Sequence, residues 1–177
     1  MPLRTVPRIA LDKVRSDSPA DRRKAVATFG DALRQGACRI LVPDDLGATP
    51  DVLADAGRDL LGLLEEYFGL EAESLVSLAV PGDANDPETG PQRLLSLHVV
   101  TDAPPLEIET ADGWQEISAR PGEWVTVPGS ALETLTAGIV PAIAGRISGA
   151  GGAPAQALTV GPSADLRPLA GFEGTRA

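Results

Sequence analysis

The spacing of hydrophobic residues changes once along this chain, and that change most constrains its fold. From residue 18 to residue 69 they recur every three or four positions, the period of an amphipathic helix, whereas beyond residue 92 they alternate. The segment PGDANDPETGPQ, residues 81–92, has loop composition and separates the two patterns. The sequence therefore predicts an α+β fold, with helices first and an antiparallel β system second.

Both predicted helices carry clear boundary signals. The first spans residues 18–37, with Ser18 as its N-cap and Pro19 in its first turn. The second begins at Pro50 and ends at Gly69. Strands are predicted over residues 6–11, 38–42, 93–101, 106–110, 114–118, 123–127, 139–148 and 155–160.

Length and charge narrow the classes of function. A chain of 177 residues is predicted to form one domain, 1–177, with a helical N-terminal part over 1–80 and a β core over 93–161. Its net charge of −10 argues against binding to nucleic acid or to an anionic membrane. A single cysteine and the lack of an apolar leader at the start predict a cytoplasmic protein.

The β half resembles the C-terminal core of a known enzyme family. The strings LLSLHVVTD, LEIETADGW, RPGEWVTVPGSALETLTAG and VPAIAGRIS are similar to successive segments of the isopenicillin N synthase-like iron(II)/2-oxoglutarate oxygenases. The N-terminal strand, helix and strand are similar to the family's opening elements. The positions that match are Gly122, Gly129, Leu132, Glu133, Leu135, Thr136, Gly138, Pro141 and Arg146.

This resemblance implies a double-stranded β-helix, a jelly-roll core with the N-terminal helices packed on it. The middle of the chain is shorter than in the family. Residues 57–80 match either the helix that follows the first strands or the later long helix, and the two alternatives stay open.

The resemblance does not extend to the family's cofactors. Those enzymes hold iron with a His-x-Asp pair and a distal histidine, but this chain has one histidine, His98, and Gly145 stands at the distal position. The arginine expected to bind 2-oxoglutarate is absent from residues 147–160. We therefore expect neither a metal nor a cofactor.

Three residues are candidates for a site in such a metal-free barrel. His98 would transfer protons, because histidine titrates near neutrality; the alternative is a polar sheet residue with no chemical role. Glu107 would act as a base if its side of the strand faces the barrel interior. Arg146 would bind an anionic group of a substrate, and a structural ion pair is its alternative.

Two functions fit these observations. The first is a metal-independent, redox-neutral enzyme of the cyclase or isomerase type, acting on a small organic substrate in specialised metabolism. The second is a non-catalytic oxygenase-like subunit that stabilises or completes a partner biosynthetic enzyme. In either case the shortened barrel predicts a homodimer or a heteromer, with no nucleic acid or membrane as partner.

Overall fold

The computed structural model describes residues 6–82, 92–100, 106–117, 119–147, 155–161 and 165–172. None of the helices in these residues is long and apolar enough to cross a membrane. The helices are α1 (Leu11–Val14), α2 (Pro19–Gln35), α3 (Pro50–Phe68) and α4 (Ser130–Leu135). The strands are β1 (Arg8–Ala10), β2 (Cys38–Leu41), β3 (Ala79–Gly82), β4 (Arg93–Val99), β5 (Leu106–Thr110), β6 (Gly113–Glu116), β7 (Trp124–Pro128), β8 (Gly145–Ile147) and β9 (Ala155–Val160).

The strands form two sheets that face each other. One has six strands in the order β1-β2-β7-β4-β9-β3, and the other has three in the order β6-β5-β8. All neighbouring strands are antiparallel except β1 and β2. Val125 and Val127 of the larger sheet share a buried cluster with Leu106 and Ile108 of the smaller one. This is the predicted double-stranded β-helix, and the α+β class is confirmed.

Helices cover the outer face of the six-stranded sheet. The apolar stripe of α3 is buried as its spacing predicts, with Leu53, Leu60 and Leu64 all in the main core. A Cβ atom added to Gly57 of α3 would lie 2.5 Å from Cδ1 of Leu158 in β9, so a larger residue there would require the Leu158 side chain to move. Each face of the six-stranded sheet is therefore covered by another layer.

The N-terminal part contributes more strand than its helical pattern suggests. β1 and β2 form one end of the six-stranded sheet, where β2 pairs with β7 from the C-terminal half. β3, which the sequence pattern misses, pairs with β9 at the other end. Strands from both halves therefore build the same sheet, and the helical and β parts of the sequence are not separate layers.

The prediction of one strand over residues 139–148 was wrong, because of the described residues 139–147 only Gly145–Ile147 is strand. The turn that follows α4 is bonded first to the side chains of Glu133 in α4 and of Thr136 just after it, and only then does the Ile143 N–H donate to the Pro128 carbonyl of β7. The Val140 N–H donates to Thr136 Oγ1 over 3.1 Å, and the Ala142 N–H donates to Glu133 Oε2 over 2.6 Å. Pro141 between them has no N–H to donate to a ladder.

Although the neighbouring Glu66 is exposed, Glu65 of α3 is buried, with 6% of its surface exposed. Its carboxylate accepts backbone N–H groups from the segment after α3. Leu75 and Val76 donate to Oε1 over 2.7 and 3.0 Å, and Glu73 donates to Oε2 over 3.1 Å. Glu65 thus satisfies donors that would otherwise be buried without partners.

We predict that Glu65→Ala lowers the free energy of unfolding by about 3 kcal/mol, since it leaves buried donors without their charged acceptor. Glu66→Ala is the matched control on the same helix. Its carboxylate pairs with Arg22 at the surface, so the expected cost is below about 1 kcal/mol. Urea unfolding of both variants measures the difference, and equal losses would contradict the role given to Glu65.

Candidate functional site

His98 lies on the face of β4 that points between the two sheets. Its ladder partner on β7 is Val125, which belongs to the cluster between the sheets. Leu95 and Leu97 point the other way, into the core under the helices. Side chains therefore alternate from Leu95 to His98, and the histidine side chain belongs to the barrel interior. Asp102, which shares that phase in the sequence, lies outside the described residues.

A β-bulge places a cationic residue on the same face. The pairing of β4 with β9 shifts between Arg93 and Leu95, so Leu94 and Leu95 both enter the helix-side core. Arg93 then pairs with Thr159, which alternates with core residues and faces the interior. One extra residue in a strand has this effect on phase. Nothing in the sequence pattern marks this bulge.

The His98 ring is desolvated. Only 9% of the residue's surface is exposed, and within the described part of the chain its Nδ1 is enclosed with no hydrogen-bond partner. Burial lowers the pKa of His98 from 6.5 to about 4, and the positive charge of Arg93 adds to that effect. At neutral pH the imidazole is uncharged, and its Nδ1 is a buried polar atom without a hydrogen-bond partner among the described residues.

The other ring nitrogen faces Gly145 on the opposite sheet. A Cβ atom built on Gly145 would lie 3.7 Å from His98 Nε2, with Leu106 and Val127 at 3.8 Å. Gly145 is the position where the resemblance places the distal iron ligand. The single imidazole, which belongs to β4, therefore lies next to the position in β8 where the resemblance would place that ligand.

The residues present do not fit iron or 2-oxoglutarate. In the described ranges no three His, Cys, Asp or Glu side chains lie together as metal ligands would. Non-haem iron of this class needs two histidines and a carboxylate, and the chain has one histidine. β9, which follows Gly145 along the chain, reads AQALTV and offers no arginine for the 2-oxoglutarate carboxylate.

Glu107 and Arg146 lie opposite each other on the three-stranded sheet. Their backbones are paired between β5 and β8. Leu106 and Ile108 enter the interior cluster, so the intervening Glu107 faces away from it. The condition for Glu107 to act as a base inside the barrel is therefore not met. The Arg146 side chain lies outside the described residues, and its role in substrate binding stays a prediction.

Glu123 is a charged residue of the interior that the sequence pattern did not single out. Its carboxylate is 3.3 Å from Arg8 Nη1 and 3.5 Å from Arg39 Nη1, and it accepts the Arg120 N–H over 3.0 Å. Only 3% of the Glu123 side chain is exposed. In the string EWVTV, Glu123 lies on the same face of the strand as Val125 and Val127, because residues two apart share a face. This alternation could have predicted that Glu123 faces the interior.

Solved structures that are similar to this chain include a dioxygenase and proteins solved with 2-oxoglutarate. A dioxygenase for auxin oxidation from rice has a TM-score of 0.66 at 13% identity, covering 94% of this chain and 87% of its own. A full-length Neurospora crassa protein solved with alpha-KG has a TM-score of 0.70 at 8% identity, covering 94% and 89%. JOX2, solved with 2OG, Fe and JA, has a TM-score of 0.54 at 13% identity, covering 97% and 79%.

By sequence, no family model matches the chain, and no curated protein matches it either. The structural likeness confirms the resemblance to 2-oxoglutarate/iron(II) oxygenases at the level of the scaffold. At identities this low, structural similarity shows the fold but not the reaction, because the activity of such a scaffold depends on the residues in its site.

We predict that His98 makes stability pH-dependent. Its folded pKa of about 4 lies below the unfolded value of 6.5, so between these values the unfolded chain binds a proton that the folded chain does not. The contribution of His98 to the free energy of unfolding is therefore complete above pH 6.5, and it decreases by about 3 kcal/mol as the pH falls to 4. The measurement is urea unfolding of wild type and His98→Leu across this range. A constant difference between the two proteins would contradict the prediction.

We also predict that the protein binds neither iron nor 2-oxoglutarate tightly. After anaerobic loading with ferrous iron and desalting, elemental analysis should find no stoichiometric metal, because one imidazole cannot supply the required ligands. His98→Ala is the matched control. Iron retained by wild type and lost in that variant would show that His98 is a ligand after all.

Proposed function

We propose that this protein is a metal-independent, redox-neutral enzyme of the cyclase or isomerase type, acting on a small organic molecule inside the β-helix. The observation that carries the proposal is the neutral, desolvated imidazole of His98, which points into the barrel with Nδ1 lacking a partner among the described residues. Buried polar atoms in native proteins are nearly always satisfied, and a ligand is one way to satisfy them.

Proton transfer is the chemistry that these residues support. The chain lacks the ligands for iron, so a reaction that activates oxygen on that metal has no basis in its residues. A neutral imidazole can accept a proton from a substrate and return it elsewhere. Negative charge that develops on the substrate would raise the low pKa of His98 towards the range in which proton transfer is efficient.

The surroundings of His98 suit a mostly apolar substrate. Val125, Val127 and Ile108 belong to the buried cluster between the sheets. Aliphatic walls exclude water and hold a flexible molecule in few conformations, which favours ring closure and double-bond migration. We place this activity in the specialised metabolism of the cytoplasm, with a homodimer or a heteromer as the working form.

The second candidate is a non-catalytic subunit of a partner biosynthetic enzyme. Its support is the edge of the six-stranded sheet, where β3 is the terminal strand and Val80 is 48% exposed. An open strand edge is suited to pairing with another chain. In this case His98 would be a buried sheet residue, and its replacement would change stability without changing any reaction.

Hydrogen exchange with solvent tests the enzyme proposal even while the substrate is unidentified. The protein is incubated anaerobically, with a chelator and in heavy water, with a metabolite extract of the cells that make it. An isomerase or cyclase that transfers protons should introduce deuterium into one compound, which mass spectrometry detects. We expect His98→Ala to reduce the rate of that labelling by about a hundredfold.

Ser77→Ala is the matched control, because Ser77 is exposed and its neighbours Val76 and Leu78 pack against the helix-side core, so this variant should label as wild type does. Labelling that needs oxygen, iron or 2-oxoglutarate would contradict a redox-neutral reaction. Labelling that persists at the full rate in His98→Ala would remove His98 from the mechanism. No labelling by wild type would favour the non-catalytic subunit.

A further inference from the structure

The only two lysines of the chain line one small cleft beside β1. Lys13 of α1 and Lys24 of α2 lie there with Arg8 of β1, and the cleft has a volume of about 190 Å³. The residues that α2 contributes share one stripe of the helix, since they are spaced by three or four positions: Asp21, Lys24, Ala25 and Thr28. We call this space the lysine cleft.

The lysine cleft is separate from the interior of the β-helix. Its described lining comes from β1, α1 and α2, and none of these lining residues belongs to the aliphatic cluster between the two sheets. β1 is the terminal strand of the six-stranded sheet, so the cleft lies at the edge of the fold. An inference about this cleft therefore does not rest on the function proposed for His98.

The charge near the cleft is opposite to that of the whole chain. The net charge is −10, yet seven of the 15 basic residues and only three of the 25 acidic residues lie in the first 25 positions. This segment contains β1, α1 and the first turns of α2, which are the elements that line the cleft. Positive charge is thus concentrated at a place where a cleft is present.

The ion pairs of Arg8 leave one positive charge in excess. Arg8 Nη1 lies 3.3 Å from Glu123 Oε1, and Arg39 Nη1 lies 3.5 Å from Oε2 of the same carboxylate. Two guanidinium groups therefore share one carboxylate. Arg8 has five N–H donors, so it can bind Glu123 and still donate to a ligand in the cleft.

The two lysines leave a second positive charge in excess. Lys13 Nζ donates to Asp21 Oδ2 over 3.0 Å, and this hydrogen bond lowers the pKa of the Asp21 carboxyl, so that it is ionised at neutral pH. Lys24 makes no ion pair among the residues that the structure describes, and its charge acts on Asp21 from a longer distance. Two ammonium groups thus stand beside one carboxylate.

We propose that the lysine cleft binds a phosphate group, either as inorganic phosphate or as the phosphate of a small phosphorylated metabolite. A phosphate monoester has a charge of about −1.5 to −2 at neutral pH, which matches the two excess positive charges. Its oxygens accept charge-assisted hydrogen bonds from Arg8, Lys13 and Lys24. The Thr28 hydroxyl, which also lines the cleft, can donate one more.

The size of the cleft favours one compact anionic group over a whole cofactor. Pockets that enclose a small molecule usually have a volume of about 300–1,000 Å³, whereas the lysine cleft has about 190 Å³. The rest of a phosphorylated ligand would therefore remain in solvent. A carboxylate also fits the space, but its single charge would leave one of the excess positive charges without a counterion.

The scarcity of lysine makes the test direct. Selective isotope labelling of lysine gives NMR signals from Lys13 and Lys24 alone. The probes are inorganic phosphate, glycerol phosphate and acetate, each added at low ionic strength so that exposed charges are not screened. We expect saturable shifts of both lysine signals with the two phosphates, and binding at least about tenfold weaker for acetate. The phosphate that binds more tightly identifies the source of the group.

The variants locate the phosphate in the cleft. Lys24→Gln should weaken phosphate binding by about fivefold or more, read from the Lys13 signal, because a charged hydrogen bond is lost. Lys24→Arg keeps the charge and should bind within about twofold of wild type. Arg23→Gln is the matched control, because it removes the same charge from the same helix at an exposed residue that does not line the cleft. It should also bind within about twofold of wild type.

The inference is overturned by any of three results. The first is the lack of a saturable shift at millimolar phosphate, and the second is acetate binding as tight as that of phosphate. The third is a loss of affinity in Lys24→Gln no larger than that in Arg23→Gln, which would show that phosphate is attracted by the general charge of α2 and is not held in the cleft.

Discussion

The structure depends on the covering of both faces of its six-stranded sheet. Helices cover one face and the three-stranded sheet covers the other, so the five central residues of β4 are all buried. In an ordinary half-exposed sheet, Ser96 and His98 would lie on the solvent side. Here that side is the interior of the β-helix, and the same alternation buries the His98 side chain away from solvent. Its unusual acid–base character is a direct result of the layering.

The regular elements could be predicted from local pattern. Ser18 caps α2 by accepting the Asp21 N–H, and the apolar stripe of α3 is buried, because caps and periodicity act within a few residues. Elements fixed by distant partners could not be predicted. β3 exists because β9 lies beside it, and the turn before β8 is shaped by Glu133 of α4 and by Thr136, the residue that follows this helix.

Those parts of the site that depend on local alternation could also be predicted from the sequence. The phase of His98 follows from simple alternation, and so does the outward position of Glu107 once Leu106 and Ile108 are known to face inward. Arg93 was not found, because a bulge changes the phase of the strand without leaving a mark in composition. Glu65 and Glu123 were missed as buried acids, since their partners are backbone groups or arginines remote in sequence.

The bulge in β4 also has a consequence for changes in chain length. Strands usually tolerate substitution better than deletion. Deleting one residue shifts the register, so that every side chain on one side of the deletion points to the opposite face of the sheet. At this bulge the two leucines share one face, so deleting Leu94 or Leu95 would restore a regular ladder and keep His98 in its pairing with β7 and β9. The arginine would then stay opposite Thr159 on the interior face, because its partner on β9 already precedes the partner of Leu95 without a gap. A one-residue deletion at this point would thus remove a leucine from the helix-side core without turning Arg93 or His98 to the other face of the sheet.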